Sequence, residues 1–174
     1  MVVNDNEIAV KKTSSDDAEQ IFALSVQCNL AEWSEADYRN EAERNDSMML
    51  TARLNAEKSV IGFIAARLTG FVKSAVENDE YRELDIINLG VKAELRRKGI
   101  GRRLLEEILR LASEQNVGSV WLEVRQSNGE AIKFYESYGF TEIQIRKGFY
   151  ANPLDDALVM KLDCPKDFGS KSKT

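Results

Sequence analysis

The sequence predicts an α/β (α+β) fold, with a mixed, mostly antiparallel central sheet of about seven strands flanked by about four helices. The chain has 174 residues, 43% of them hydrophobic and 30% charged, with only two prolines, which suits one globular domain. Strand-like runs alternate with apolar faces at helical spacing. Because no repeat or low-complexity linker is found, we expect one domain at residues 1–162 and a flexible tail at residues 163–174.

Helix-start signals and hydrophobic spacing define the first half of the chain. Ser34 lies three residues before Asp37, as the N-cap of a helix does, and Trp33 can pack on Tyr38 as a hydrophobic staple. Two β-rich runs separated by a polar turn predict a hairpin. The predicted elements are a strand at 7–11, a helix from 14–17 to near 30, a helix from 34 to about 44, and strands at 48–54 and 60–68.

The second half continues with strands and helices in turn. Apolar residues from Ile100 to Ala112 form one helical face, and Ser127 with Glu130 forms a second capping box before a helix that Gly139 ends. The polar stretch at 70–82 is predicted to be a loop. The predicted order is β-α-α-β-β-β-α-β-α-β-β, with strands at 84–91, 120–124, 141–147 and 157–162, and a helix from about 100 to near 116–118.

The composition excludes several classes of chemistry. There is no histidine, and Cys28 and Cys164 match no metal-ligand or redox spacing, so neither a metal site nor a Ser-His-Asp triad is expected. The first residues lack a signal-peptide pattern, and no window approaches ~18 uninterrupted apolar residues. We therefore expect a cytoplasmic protein without a membrane partner.

Charge is distributed unevenly along the chain. Residues 1–58 carry twelve acidic and six basic residues, whereas residues 59–174 carry seventeen acidic and eighteen basic ones. An acidic first half argues against direct binding of nucleic acid. It could attract a basic partner, or it could serve solubility alone.

A basic corner at residues 96–103 is the strongest local signal. Five of these eight residues are basic and none is acidic, and they lie where a predicted strand leads into a helix. A helix start attracts phosphate through its unpaired N–H groups and its dipole, and Gly99 and Gly101 allow a close backbone approach. The spacing fits neither a dinucleotide nor a Walker motif, so we expect another phosphate-bearing ligand, with a solvated helix start as the alternative.

Glu123 is the candidate general base. Period two places it on the same face as Trp121 in a largely apolar strand. Burying a carboxylate is costly unless it is paired, so either Arg125 neutralises it or it opens onto a polar cavity. In the cavity, desolvation would raise its proton affinity and suit it to accept a proton. The ion pair is an equally good interpretation.

The helix that follows this strand carries two further candidates. Tyr135 lies on its apolar face, where packing alone explains most tyrosines, although a departing thiolate could pair with the hydroxyl. Asn128 at the helix start can donate and accept hydrogen bonds, which suits an amide-rich ligand. Turn chemistry is an equally good explanation for Asn128.

Together these motifs resemble the GCN5-related N-acetyltransferase (GNAT) superfamily. Arg96-x-x-Gly99-x-Gly101, after a strand that ends in Val91, is similar to its acetyl-CoA signature, and the order of elements agrees. Within the superfamily the chain resembles the RimI-like ribosomal-protein alanine N-acetyltransferases. That likeness extends nearly to Leu162 and is carried by Trp33-Ser34-Glu35, residues 122–128 and 131–140, and Asp156-Ala157-x-x-Met160.

The resemblance implies acetyl-CoA as co-substrate, a sheet splayed between strands 4 and 5, and a role for each matching residue. Glu123 would accept a proton and Tyr135 would donate one. Asn128 would bind the pantetheine arm, and the backbone of Leu89, Gly90 and Val91 would pair with it. The residues implied to hold the pyrophosphate are Arg96, Arg97, Lys98, Gly99, Ile100, Gly101 and Arg102.

The acceptor side is implied in the same way, with Trp33, Phe149 and Tyr150 contacting the substrate. Here the chain departs from the RimI-like pattern, because Arg-x-Tyr-Tyr near the last hairpin is Lys147-Gly148-Phe149-Tyr150. One tyrosine hydroxyl is therefore missing from a loop expected to face the acceptor.

The function implied is transfer of an acetyl group to the N-terminal α-amine of alanine on a ribosomal protein, by direct attack with general acid–base help. We expect a monomer or weak dimer. One alternative is acetylation of a small amine, such as a polyamine or an aminoglycoside, or of lysine side chains. Another is a non-catalytic acyl-CoA-binding module, which would have no need of Glu123 and Tyr135.

Overall fold

A computed structural model describes residues 7–30, 33–54, 58–73 and 80–164. In these residues seven strands and four α-helices follow the predicted order, which confirms the predicted fold class. The elements are β1 (Ile8–Lys12), α1 (Ala18–Gln27), α2 (Glu35–Glu43), β2 (Ser47–Leu54), β3 (Val60–Lys73), β4 (Glu80–Val91), α3 (Ile100–Glu114), β5 (Val117–Arg125), α4 (Gly129–Glu136), β6 (Thr141–Ala151) and β7 (Leu154–Asp163).

The strands form one mixed sheet in the order β1-β2-β3-β4-β5-β7-β6. β1 with β2, β2 with β3, β5 with β7 and β6 with β7 pair antiparallel, whereas β4 and β5 pair parallel. The parallel pairs run from Arg82↔Val117 to Ile86↔Leu122, and β4 continues to Val91 beyond the last of them. The splay between strands 4 and 5 stays a prediction.

The chain divides into two compact units. The first comprises Met1–Leu68 and Ile87–Leu111, and the second comprises Thr69–Ile86 and Ala112–Thr174. The domain limits 1–162 and 163–174 stay predictions. Most of the predicted tail lies outside the described residues, and Asp163 is the last residue of β7. None of the described helices has both the length and the apolar character needed to cross a membrane.

The core of the first unit is built around Tyr38 on α2. Ser34 caps this helix as predicted, with its hydroxyl accepting from the N–H of Asp37. The ring of Trp33 packs on Tyr38 with centroids 5.2 Å apart, which is the predicted staple, and Phe63 meets Tyr38 edge-on at 5.6 Å. The fully buried Tyr38 hydroxyl accepts a hydrogen bond from the Asn88 amide at 3.2 Å, so α2 is tied to β4.

Replacing Tyr38 by Phe is expected to lower the free energy of unfolding by about 1–3 kcal/mol, because the buried Asn88 amide then loses a partner. Urea unfolding of the pure protein measures the change. The Tyr38→Phe/Asn88→Leu double variant should recover part of the loss, because both partners are then apolar. A double variant whose loss equals the sum of the two single losses would contradict this account.

In the second unit β5 has the predicted period of two. Val120, Leu122 and Val124 are buried on one face, whereas Trp121, Glu123 and Arg125 are half-buried on the other. The pairing Leu122↔Met160 and Glu123↔Val159 continues these two faces onto β7. The strand therefore holds Glu123 on a face that is open to solvent in part.

Several predicted boundaries are wrong. The predicted loop at 70–82 is strand at both ends, because β3 continues to Lys73 and β4 begins at Glu80, and polar residues are tolerated on a strand that faces water. α3 ends at Glu114, and Val117 already belongs to β5. Asn128, not Ser127, is the N-cap of α4. β6 and β7 are longer than predicted, at 141–151 and 154–163.

Candidate active site

The basic corner joins β4 to α3 through an irregular backbone. A short 3-10 turn at Ala93–Leu95 follows β4, and α3 begins at Ile100. Between them Arg97 and Gly99 both have left-handed backbone, with φ of 61° and 81°. Left-handed residues alternating with ordinary ones can form a concave nest of N–H groups, and this loop also leads into a helix start. Both features favour an anion.

Arg96 braces this corner from within the first unit. Its Nε donates to the carbonyl of Val91 at 3.2 Å, and its Nη2 lies 3.7 Å from Sγ of Cys28. The Cys28 thiol donates to the same carbonyl at 3.4 Å. The predicted contact of Arg96 with pyrophosphate stays a prediction, and its guanidinium also fixes the start of the loop against the end of β4.

The end of β4 is packed too closely for a side chain at Gly90. A Cβ there would lie 2.8 Å from Phe63 and 3.1 Å from Leu30, so glycine is required by packing. Leu89 and Val91 on either side are half-buried. This backbone lies beyond the last pair of β4 with β5, and its pairing with a pantetheine arm stays a prediction.

Glu123 is paired with a cation that the sequence analysis did not identify. Arg146 on β6 donates from Nη1 to Oε1 of Glu123, and the two side chains are 49% and 33% exposed. Arg125, the predicted partner, donates instead to the carbonyls of Asn152 and Pro153. The ion-pair interpretation therefore describes Glu123, but with a partner 23 residues away in sequence.

The β6–β7 hairpin also contacts the backbone of Glu123. Tyr150 donates from its hydroxyl to the Glu123 carbonyl at 3.3 Å, and its ring lies 4.2 Å from the guanidinium of Arg125. Phe149 meets Tyr150 edge-on, with centroids 5.0 Å apart, and lies 4.3 Å from the guanidinium of Arg146. The structure thus brings the predicted residues Glu123, Phe149 and Tyr150 together.

An irregularity in β6 makes this arrangement possible. The register with β7 shifts between Arg146 and Tyr150, and Gly148 has φ of 61°. The Asp156 carboxylate accepts from the Lys147 ammonium at 2.6 Å and from the Gly148 N–H at 2.8 Å, and these bonds hold the pKa of Asp156 below its ordinary value. Such a bulge redirects the following side chains, here Phe149 and Tyr150.

Tyr135 is buried on α4. Its ring makes edge contacts with Phe134 and Phe140, with centroids 5.2 and 5.5 Å apart. Burial raises the pKa of Tyr135 well above its ordinary value, and the neighbouring Tyr150 contributes to the same effect. The phenol is therefore protonated at neutral pH, which is the form that can donate a proton.

We expect Tyr135 to be the last tyrosine of the folded protein to ionise. The pKa of Tyr135 is higher in the folded than in the unfolded protein. Its neutral phenol therefore makes its full contribution to the free energy of unfolding below about pH 10, and this contribution is lost as the pH rises further. Ultraviolet titration of tyrosinate, compared with that of Tyr135→Phe, measures this. Loss of a titration step near pH 10 in the variant would contradict it.

Three other residues that the sequence singled out have structural partners. Asn128 accepts from the Ala131 N–H at 3.1 Å through its side-chain oxygen, as turn chemistry predicts, and its pantetheine contact stays a prediction. Ser127 donates to Asp155 at 2.6 Å. Trp33 packs against the core of the first unit, and its contact with the acceptor stays a prediction.

Comparison with known families shows the family to which this chain belongs. Residues 18–140 match the model of the acetyltransferase (GNAT) family. The chain belongs to the GNAT acetyltransferase family. The predicted family and enzyme class, an acetyl-CoA-dependent N-acetyltransferase, are thereby confirmed, and the charge and backbone geometry of the basic corner fit the diphosphate of this co-substrate.

Individual GNAT relatives match over most of their length. The [ribosomal protein bS18]-alanine N-acetyltransferase of Salmonella typhimurium is 32% identical over 152 residues, covering 86% of this chain and 93% of the relative. The crystal structure of the ribosomal-protein-S18-alanine N-acetyltransferase from Escherichia coli has a TM-score of 0.74 and 25% identity, covering 90% of this chain and 93% of that one.

The structure of a third relative contains a bisubstrate analogue as its ligand. The structure of Arabidopsis thaliana Naa50 in complex with the bisubstrate analogue CoA-Ac-MVNAL has a TM-score of 0.74 and 25% identity. It covers 91% of this chain and 99% of that one. The fold predicted from the resemblance is therefore also the fold of solved GNAT enzymes.

Proposed function

We propose that this GNAT enzyme transfers an acetyl group from acetyl-CoA to the N-terminal α-amine of a ribosomal protein that begins with alanine. The observation that carries the proposal is the 32% identity to the Salmonella typhimurium alanine N-acetyltransferase, because the match covers 86% of this chain and 93% of the relative. A match of that extent leaves only a small part of either protein outside it.

On the co-substrate side, the basic corner would bind the diphosphate through N–H groups near Arg97 and Gly99 and at the start of α3. The backbone of Leu89, Gly90 and Val91 would pair with the pantetheine arm. Asn128 would donate to that arm from its amide nitrogen, because its side-chain oxygen already caps α4.

On the acceptor side, the amine must first lose a proton. A protein α-amine has a pKa near 7.7–8.0, so only roughly a tenth is free base at neutral pH. Glu123 would accept the proton, directly or through a water. The amine nitrogen then bonds to the thioester carbon, the carbon–sulfur bond breaks, and Tyr135 donates its proton to the leaving sulfur. The nitrogen loses its second proton as the amide forms, and that proton returns through solvent to the Tyr135 phenolate.

The charge of the acceptor fits this arrangement. A carboxylate that is one-third exposed on a strand face can attract an ammonium group before it accepts a proton. The net acidic first half of the chain adds long-range attraction for a basic acceptor. The cytoplasmic location, the absence of direct nucleic acid binding and the monomeric or weakly dimeric state stay predictions.

Peptide acetylation tests the proposal. The enzyme is incubated with acetyl-CoA and either a basic peptide that begins with alanine or its N-blocked twin, and mass spectrometry locates the acetyl group. We expect the free peptide alone to be acetylated, at its first residue. Acetylation of both peptides would indicate that lysine side chains are the acceptors. Acetylation of neither peptide would indicate a small amine as the acceptor. If acetyl-CoA binds but no amine is acetylated, the protein would be a binding module.

The identity of the acceptor is tested separately. A ribosomal fraction from cell extract is incubated with the enzyme and acetyl-CoA, and protein N-termini are compared with an enzyme-free control. We expect a new acetyl group on an alanine N-terminus of one ribosomal protein. New acetylation confined to other proteins would contradict the ribosomal assignment.

A further inference from the structure

Glu123 and three residues of β6 form a closed set of contacts. Arg146 holds the side chain of Glu123, Phe149 lies against Arg146, Tyr150 lies against Phe149, and the Tyr150 hydroxyl returns to the Glu123 carbonyl. Three of the four are within five residues of one another on β6. The hairpin therefore fixes both the main chain and the carboxylate of Glu123.

We propose that Arg146 is a positioning residue for Glu123. It would keep Oε1 of the carboxylate fixed and leave the other oxygen for the proton of the acceptor amine. The inference rests on the proposed function, because it requires Glu123 to take part in acetyl transfer. Arg146 itself touches neither the acetyl group nor the amine in this account.

The geometry explains how Arg146 does this on an exposed strand. An unpaired glutamate on a partly exposed sheet face samples several rotamers, whereas a general base must be held in one of them to be correctly oriented. The guanidinium is planar, always charged and able to lie against an aromatic ring while it donates from its edge. Phe149 supplies that ring at 4.3 Å, so Arg146 is itself oriented before it meets Glu123.

Stability alone does not account for the pair. Ion pairs with this degree of exposure contribute little to folding, because solvent screens them and ordering two long side chains has an entropic cost. The Arg110–Glu107 pair on α3 has nearly the same exposure, 48% and 36%. It provides a matched control for removing a surface arginine.

Steady-state kinetics of Arg146→Gln, Arg146→Lys and the control Arg110→Gln test the inference. We expect Arg146→Gln to lower kcat about tenfold, because the substitution leaves the Glu123 carboxylate misplaced. The KM for acetyl-CoA should change by less than about twofold, because the basic corner stays intact. Arg146→Lys should recover part of kcat, and Arg110→Gln should resemble the wild type. An unchanged kcat in Arg146→Gln, or an increased one with a lower KM for the acceptor, would overturn the inference.

A double-mutant cycle identifies the route of the effect. If Arg146 acts through Glu123, then Arg146→Gln should change kcat little in the Glu123→Gln background. The same tenfold loss in that background would overturn the inference, since Arg146 would then act elsewhere. A wild type inactive on the alanine peptide contradicts only the proposed acceptor, and the cycle is then measured with the amine that the wild type does acetylate.

Discussion

Glu123→Gln is expected to lower kcat by a factor on the order of 10²–10⁴, the usual contribution of general acid–base catalysis. The amide has the shape of the carboxylate but cannot take up the proton of the α-amine, and it also loses the charge that pairs with Arg146. The affinity for acetyl-CoA should be unchanged, because the proposed diphosphate site lies in the basic corner. Turnover of the alanine peptide and calorimetric titration with acetyl-CoA measure the two effects.

Glu142→Gln is the matched control for this substitution. Glu142 is an exposed glutamate on β6, and removing its charge should leave kcat near that of the wild type. A Glu123→Gln enzyme with an unchanged kcat would remove Glu123 from the mechanism. A Glu123→Gln enzyme that binds acetyl-CoA much more weakly would instead assign the residue to co-substrate binding.

Gly99→Ala is expected to raise the Kd for acetyl-CoA about tenfold. Gly99 has φ of 81°, and a residue with a Cβ loses about 1–2 kcal/mol in left-handed backbone. The loop would then leave the conformation that aims its N–H groups at a diphosphate, and binding would weaken by that free-energy difference. Calorimetry with acetyl-CoA at two salt concentrations measures the affinity and its electrostatic part.

Gly70→Ala separates this effect from a general loss of stability. A Cβ at Gly70 on β3 meets nothing within 4 Å, and its φ lies outside the left-handed range, so that substitution should leave the affinity unchanged. If Gly99→Ala also binds acetyl-CoA with wild-type affinity, the conformation of the basic corner is not required. In that case the charges of the corner would have to account for binding alone.

The Arg146 contact changes how Glu123 is understood chemically. From the sequence, one interpretation placed the carboxylate in a desolvated cavity that would raise its affinity for a proton. In the structure it is one-third exposed and held by a guanidinium. The orientation of the carboxylate therefore comes from a charge-assisted hydrogen bond and not from a desolvated cavity.

Short-range patterns were enough to predict the order of elements, the two faces of β5, the capping box at Ser34 and the basic corner at residues 96–103. These features depend on side chains a few residues apart, and periodicity and start signals report such neighbours directly. Boundaries were less well determined, as in the stretch at 70–82. Polar residues there are compatible both with a loop and with a strand that faces water.

The partners of the site residues depend on which distant parts of the chain fold against one another. Arg146 pairs with Glu123 across 23 positions, Arg96 meets Cys28 across 68, and Asn88 donates to Tyr38 across 50. Each contact depends on which strands and helices are neighbours and on their register. In β6 the shift between Arg146 and Tyr150 sets which side chains reach Glu123. Because a one-residue change of register moves every following side chain to the opposite face, local sequence could not determine these pairs.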